Sequence, residues 1–242
     1  MSIAERIESL LPYLRRYARA STGNTKVGDA CVERVLQAVL DKSLDVDFSL
    51  EEYNRVRLFG MLDAELDEQA TSQSAKARRA LLLIAVEGFD EPTARKVLSV
   101  DRTELKILLD LAERAFAETT ATGLLIIEDE PLIASQLKRI AEGLGHRVVG
   151  IADTASRAVA MSEMHAPDIV LCDIHLADGS LGTDAITEMN LPSEVPVVFI
   201  TAYPEKYLST LNEGPSYLIT KPFDADYLRA VIGHALINVQ SA

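Results

Sequence analysis

The chain has 242 residues, 48% of them hydrophobic and 25% charged, which gives a globular composition with room for two ordinary domains or one large one. Its formal net charge of −13 argues against sequence-independent binding to nucleic acid, which rests on basic surface. The charge is unevenly spread: residues 1–120 carry 17 Lys and Arg against 21 Asp and Glu, whereas residues 121–242 carry 7 against 16.

Residues 1–118 read as an all-α domain. Apolar residues recur at three-to-four spacing over Ile3–Arg19, Val27–Asp41, Leu50–Glu68 and Ala75–Glu87. Ser21–Asn24, Asp41–Asp47 and Gln69–Ser74 are the polar joints between them. After Gly88, Asp90 is placed to cap a helix over Glu91–Leu98. Asp101 is placed to cap Arg102–Phe116, with Glu104 in the capping-box position. Helix, short turn and helix is the layout of a helix-turn-helix. Arg15, Arg16 and Arg19 form a basic strip on the first helix and read as a solvated face.

A polar linker, 119–122, leads into residues 123–242, where short apolar strands alternate with amphipathic helices. The strands are Leu124–Ile127, Val148–Ile151, Ile169–Cys172, Val197–Ile200 and Tyr217–Thr220. The helices are Pro131–Leu144, Thr154–His165, Thr183–Met189, Glu205–Asn212 and Asp224–Ala235. Strand–helix units repeated in this way predict an α/β domain, a parallel sheet with helices on both faces.

Four of these strands end on reactive side chains: Glu128 and Asp129, then Asp173, Thr201 and Lys221. In an open parallel sheet the carboxyl ends of the strands converge on one crevice. Glu128 and Asp129 are suited to hold Mg²⁺. Asp173 completes that set and is the nucleophile for an acyl phosphate. Lys221 offsets charge on the phosphoryl group, and the Thr201 hydroxyl bonds to it afterwards.

Cys31 and Cys172 lie far apart without metal-ligand spacing, and Cys172 reads as a buried hydrophobe. His146, His165, His175 and His234 form no cluster. No apolar run of about 18 residues suggests a membrane span, and MSIAERIESLL lacks a signal-peptide pattern. A cytoplasmic protein is expected.

The segments LLIIEDEPLI, DIVLCDIHL, VVFITA and ITKPF resemble the receiver domain of bacterial two-component response regulators. That resemblance implies a doubly wound five-stranded sheet of order 2-1-3-4-5, a Mg²⁺ cofactor, and phosphotransfer to Asp173 from a sensor histidine kinase or phosphotransfer protein. It also implies a backbone-carbonyl metal ligand at His175, phosphate contact at Ala202, and control of phosphate lifetime by His175 and Tyr203. One departure stands out: Leu218 occupies the position where receivers usually carry an aromatic switch residue, and Tyr217 precedes it.

LLPYLRRYARASTGN and ALLLIAVEGF followed by ARKVLSVDRTELK resemble regions 2 and 4 of extracytoplasmic-function sigma factors. The region-2-like part spans about residues 7–68 and the region-4-like part about 75–117. In the second helix of region 4, three positions that are arginine in that family are Leu108, Leu111 and Glu113 here. Apolar side chains cannot neutralise phosphate and an acidic one repels it, so no direct DNA binding is expected. Leu105, Leu108, Leu109 and Glu113 are instead candidates for a partner or interdomain surface.

A sigma-like domain followed by a receiver resembles the PhyR-type regulators of the alphaproteobacterial general stress response. That implies a phosphorylation-gated anti-anti-sigma factor. Its receiver docks on the sigma-like domain at rest; once Asp173 is phosphorylated, the sigma-like domain sequesters a NepR-type anti-sigma factor and frees a sigma factor. On this reading the chain is not an enzyme, although it accepts a phosphoryl group and can lose it by its own chemistry. Two rivals are a DNA-binding regulator or working sigma factor, which needs a basic recognition helix, and a phosphohydrolase, which needs a second aspartate where His175 stands.

Overall fold

Residues 3–41, 51–70, 72–117, 121–192, 194–208, 217–223 and 225–240 are described by a computed structural model of the chain. They fall into two compact units, one of Met1–Ala117 with Glu205–Ser216 and one of Glu118–Pro204 with Tyr217–Ala242. Residues 119 and 120 of the expected linker, most of the 41–47 joint, and the expected helical residues Leu50, 209–212 and Asp224 lie outside the described residues.

The first unit is helical, and its helix ends follow from local chemistry. Its elements are α1 (Ile3–Thr22), α2 (Thr25–Leu40), α3 (Glu51–Gln69), α4 (Gln73–Ala85), α5 (Glu91–Leu98) and α6 (Arg102–Ala117). The expected break at Ser21 falls later, because the Thr22 hydroxyl donates back to the Ala18 carbonyl at 2.9 Å and the chain turns at Gly23, φ +64°. Asn24 then caps α2 by accepting the Val27 N–H at 3.1 Å. Asp90 and Asp101 cap α5 and α6 as expected, accepting the N–H groups of Thr93 at 2.9 Å and Glu104 at 2.8 Å.

Leu14, Tyr17, Val32, Leu58, Phe59, Leu62, Leu83 and Leu98 are buried at the centre of this unit. The Phe59 ring lies 5.5 Å from Tyr17 and 5.1 Å, edge-on, from Phe89, a favourable aromatic geometry. Helices α1 and α2 cross in backbone contact at Gly28, where a Cβ would come within 2.6 Å of the Arg19 nitrogen.

The basic strip of α1 is not solvated. Arg15, Arg16 and Arg19 are buried, and each faces an acid on another segment. Arg19 makes a two-pronged pair with Asp29 at 2.7 Å, and Arg15 lies 4.0 Å from the same carboxylate. Arg16 grips Glu87 through two bonds of 2.9 Å. Beside them the Tyr17 hydroxyl donates to Asp63 at 2.6 Å, and Arg79 reaches Asp63 at 2.8 Å and also Asp67. A row of buried charge therefore runs between α1, α2, α3, α4 and the turn after α4. Burial of this kind is tolerated because the charges are paired and, at Arg16, Arg19 and Arg79, hydrogen-bonded to their partners.

The second unit is an open α/β sheet of β1 (Gly123–Ile127), β2 (Arg147–Ala152), β3 (Ile169–Asp173), β4 (Val197–Thr201) and β5 (Tyr217–Thr220). The strands are parallel and ordered β2-β1-β3-β4-β5. Central strands β1 and β3 are buried along their whole length, which is why they read as continuous apolar runs rather than alternating ones. The connecting helices are α7 (Pro131–Gly143), α8 (Ala155–His165), α9 (Gly182–Met189), α10 (Pro204–Leu208) and α11 (Ala225–Gln240). No helix among the described residues is long and apolar enough to cross a membrane.

Candidate functional site

The carboxyl ends of β1, β3, β4 and β5 bring the expected side chains together. Glu128 follows β1 and is 1% exposed, Asp173 ends β3 at 6%, and Thr201 ends β4 at 1%. Carboxylate oxygens of Glu128, Asp129 and Asp173 all lie within 4.8 Å of one another. Lys221, just past β5, projects its ammonium into the same cluster. It stands 2.6 Å from Asp173 Oδ2, 3.0 and 3.2 Å from the two Glu128 oxygens, and 3.8 Å from Glu130.

Backbone groups fix these side chains. The His175 N–H donates to Asp173 Oδ1 at 3.1 Å, the Tyr203 N–H to Thr201 Oγ1 at 3.1 Å, and the Glu130 N–H to Glu128 Oε1 at 3.3 Å. The Lys221 N–H closes onto the Thr201 carbonyl at 2.8 Å, and the Lys221–Pro222 peptide is cis. His175 and Tyr203 both sit exposed at the mouth, rings edge-on with centroids 6.1 Å apart. Ala202 is exposed between Thr201 and Tyr203.

Electrostatics follow from this crowding. Burial, reinforced by the neighbouring Asp173 charge and only partly countered by Lys221, pushes the Glu128 carboxyl up to about 7. Burial alone would lower the Lys221 ammonium, but its bonds to Asp173 and Glu128 prevail and hold it above its ordinary value. Burial raises the Cys172 thiol far beyond its ordinary range, so this cysteine is an inert part of the core.

Three converging carboxylates form an all-oxygen donor set, and a hard divalent cation such as Mg²⁺ fits it. The cluster lacks any nitrogen or sulfur donor that would favour a softer metal.

The Leu218 departure has a structural counterpart that the sequence did not signal. Leu218 and Tyr217 are both buried, and Tyr217 meets the ring of His234 on α11 edge-on at 6.3 Å. Tyr227, in the first turn of α11, places its hydroxyl 3.5 Å from the Leu218 carbonyl and 3.4 Å from the Thr220 nitrogen. Its nine-residue spacing from Leu218 crosses a loop, so no periodicity could link the two.

The four residues expected on α6 at a partner or interdomain surface differ in exposure. Leu105 and Leu108 are 1% exposed and belong to the packed face of the helix. Leu109 is half-buried and Glu113 exposed. The exposed apolar residue of that turn is Ile107, at 50%.

An open parallel sheet with an acidic triad, a lysine and a threonine at its carboxyl edge, joined to a helical unit, defines a response regulator with a receiver domain. Residues 124–233 match the response regulator receiver domain. Residues 7–63 match the Sigma2 domain of PhyR, and residues 72–118 the PhyR sigma-like domain. The chain is 42% identical to the phyllosphere-induced regulator PhyR of Methylorubrum extorquens, over 100% of this chain and 97% of that one. It is similar to a variant of the anti-anti-sigma factor PhyR from Bartonella quintana, with TM-score 0.90 and 40% identity over 100% of both chains. It also resembles the response regulator PhyR from Brucella abortus, with TM-score 0.89 and 40% identity over 100% of this chain and 96% of that one. The Bartonella quintana protein is further known in a co-crystal with the anti-sigma factor NepR. The chain belongs to the PhyR family of anti-anti-sigma response regulators.

Proposed function

We propose that Asp173 is the phosphoacceptor of this regulator and that its phosphorylation releases the sigma-like domain to capture a NepR-type anti-sigma factor. The observation that carries the reading is the Lys221 ammonium 2.6 Å from a buried Asp173 carboxylate that shares its pocket with Glu128 and Asp129. An Asp173 oxygen attacks the phosphorus of a phosphohistidine on a kinase or phosphotransfer protein. The acyl phosphate bond forms as the phosphorus–nitrogen bond breaks and its electron pair returns to the imidazole. Glu128, Asp129, Asp173 and the His175 carbonyl would hold Mg²⁺, which supplies charge neutralisation at the phosphoryl oxygens. Lys221 stabilises the same charge, while Thr201 and the Ala202 backbone bond to the phosphoryl group once it is in place. His175 and Tyr203 flank the entrance and set how readily water reaches the acyl phosphate, whose self-hydrolysis is the one turnover assigned to the chain.

The gate needs little energy. If about 1% of the resting protein is open, apparent partner affinity is lowered about a hundredfold, roughly 2.7 kcal/mol. A phosphoryl group making a few charge-assisted hydrogen bonds supplies energy of that order. On this proposal the sigma-like domain is 1–118 and the receiver 123–242. The short polar linker, 119–122, keeps the receiver at high local concentration so that it covers the partner site at rest. DNA is not a partner, and the protein works in the cytoplasm.

The test is binding of a NepR-type anti-sigma protein with and without beryllofluoride and Mg²⁺. A large affinity gain that disappears in Asp173→Ala is the expected result. Equal binding in both states would remove the gate, and no binding in either would remove the partner.

A further inference from the structure

Beyond β3 the chain reverses in a tight hairpin. The Leu176 N–H bonds to the Ser180 carbonyl at 3.2 Å, the Gly179 N–H to the Leu176 carbonyl at 3.0 Å, and the Gly182 N–H to the Ile174 carbonyl at 2.9 Å. An isolated antiparallel bridge pairs His175 with Leu181. The hairpin therefore delivers the first residue of α9, Gly182, directly onto the backbone of the residue where β3 ends, Asp173.

The fit there is closer than at the α1–α2 crossing, where a Cβ on Gly28 would come within 2.6 Å of its nearest atom. A Cβ on Gly182 would lie 2.0 Å from the Asp173 carbonyl oxygen and 2.5 Å from Cys172 Sγ. Real Cβ contacts essentially never fall below 3.0 Å. Gly182 does not need glycine for its backbone angles, since its φ lies outside the positive region. What it needs is the missing side chain. Gly179, at the hairpin tip, is the reverse case, with φ +83° and nothing within 4 Å of its Cβ position.

The geometry points to Gly182 as a positioning residue for phosphorylation: its bare Cα holds the Asp173 carbonyl, and through it the acceptor carboxylate, in the reactive orientation. The Asp173–Ile174 peptide, whose oxygen Gly182 covers, leads directly to His175, whose N–H holds Asp173 Oδ1 at 3.1 Å. Turning that peptide to admit a methyl group therefore moves both the acceptor and the donor that aims it. The needed displacement is about 1 Å, and misplacement on that scale lowers a reaction rate about a hundredfold. This inference rests on the assignment of Asp173 as phosphoacceptor.

The experiment compares the full chain with Gly182→Ala and Gly179→Ala, following phosphorylation by acetyl phosphate with Mg²⁺, calorimetric Mg²⁺ affinity and the thermal midpoint. Gly182→Ala is expected to slow phosphorylation about a hundredfold while the protein stays folded. Gly179→Ala, strained by its φ, is expected to lower the thermal midpoint and leave the rate within about threefold of the parent. The double variant Cys172→Ala with Gly182→Ala opens space on the thiol side and protects the fold, yet leaves the carbonyl contact, so its rate is expected to stay low. A folded Gly182→Ala chain with the parent rate, or recovery of that rate in the double variant, overturns the positioning role. A parent chain that accepts no phosphoryl group overturns the phosphoacceptor assignment instead.

Discussion

The ammonium of Lys221 lies 2.6 Å from Asp173 Oδ2 and within 3.2 Å of both Glu128 oxygens, so it bonds to two of the three carboxylates suited to a divalent cation. A bound cation and this lysine would thus draw on the same carboxylates. Removing the lysine frees carboxylate oxygens and, on the proposed mechanism, deletes the charge that meets the incoming phosphoryl group. Lys221→Ala is expected to bind Mg²⁺ at least as tightly as the parent, yet to be phosphorylated about a hundredfold more slowly. Calorimetry with Mg²⁺ alone and acetyl-phosphate kinetics separate the two effects. Parallel loss of metal binding and rate would refute this competition.

Arg16 and Glu87 pair with side-chain exposures of 8% and 0%, so neither can be rehydrated if its partner is lost. Arg16→Met alone is expected to destabilise the helical unit by about 3–5 kcal/mol, because it strands a buried carboxylate. Arg16→Met with Glu87→Leu is expected to recover most of that loss. Denaturant unfolding of the four chains of the cycle checks it, and simple additivity of the two single changes would count against a direct pair.

Gly28 marks the α1–α2 crossing, where a Cβ would sit 2.6 Å from the Arg19 nitrogen and 2.7 Å from its Cα. Both contacts are with helical backbone, which cannot swing aside as a side chain can. Gly28→Ala gains helix propensity but is expected to lose about 1–3 kcal/mol to overpacking. A thermal midpoint at or above the parent value would mean the helices part without cost.

His146 follows α7, is 6% exposed, and accepts or donates a 2.9 Å bond with the Thr122 hydroxyl through Nδ1. Burial holds its pKa below the ordinary 6.5. Well above 6.5 the ring is neutral in both the folded and the unfolded chain. As pH falls below that value the unfolded chain takes up the proton first, so stability drops until the lower folded-state pKa is passed. In His146→Gln this part of the pH dependence is expected to vanish. Midpoints of both chains between about pH 7.5 and about pH 5 measure the difference, and parallel curves would exclude His146 as its source.

The receiver was legible because its chemistry lies where its pattern breaks. Glu128, Asp173, Thr201 and Lys221 each end an apolar strand, and parallel topology brings such ends to one edge. The helical unit was read well as helices and less well as a surface. Arg15, Arg16 and Arg19 look solvated on their own helix, since their acidic partners Asp29 and Glu87 stand 10 to 71 residues away. Asp63 and Asp67 likewise meet Arg79 from another helix. On α6, Leu105, Leu108 and Ala112 fall at three-to-four spacing and form the buried stripe. Periodicity there marks the packed face of the helix. The Tyr227 contact with β5 had no sequence signal, because it depends on how α11 docks on the strand.

The charged row inside the helical unit also bears on how that unit is expected to respond to heat. The cost of stripping water from paired ions falls as temperature rises, whereas apolar burial gains little more per unit area. The clasps at Arg16, Arg19 and Arg79 therefore carry a growing share of what aligns α1 with α2, α3 and α4 as a cell warms. The alignment of these helices is therefore expected to weaken less on warming than one held by apolar packing alone.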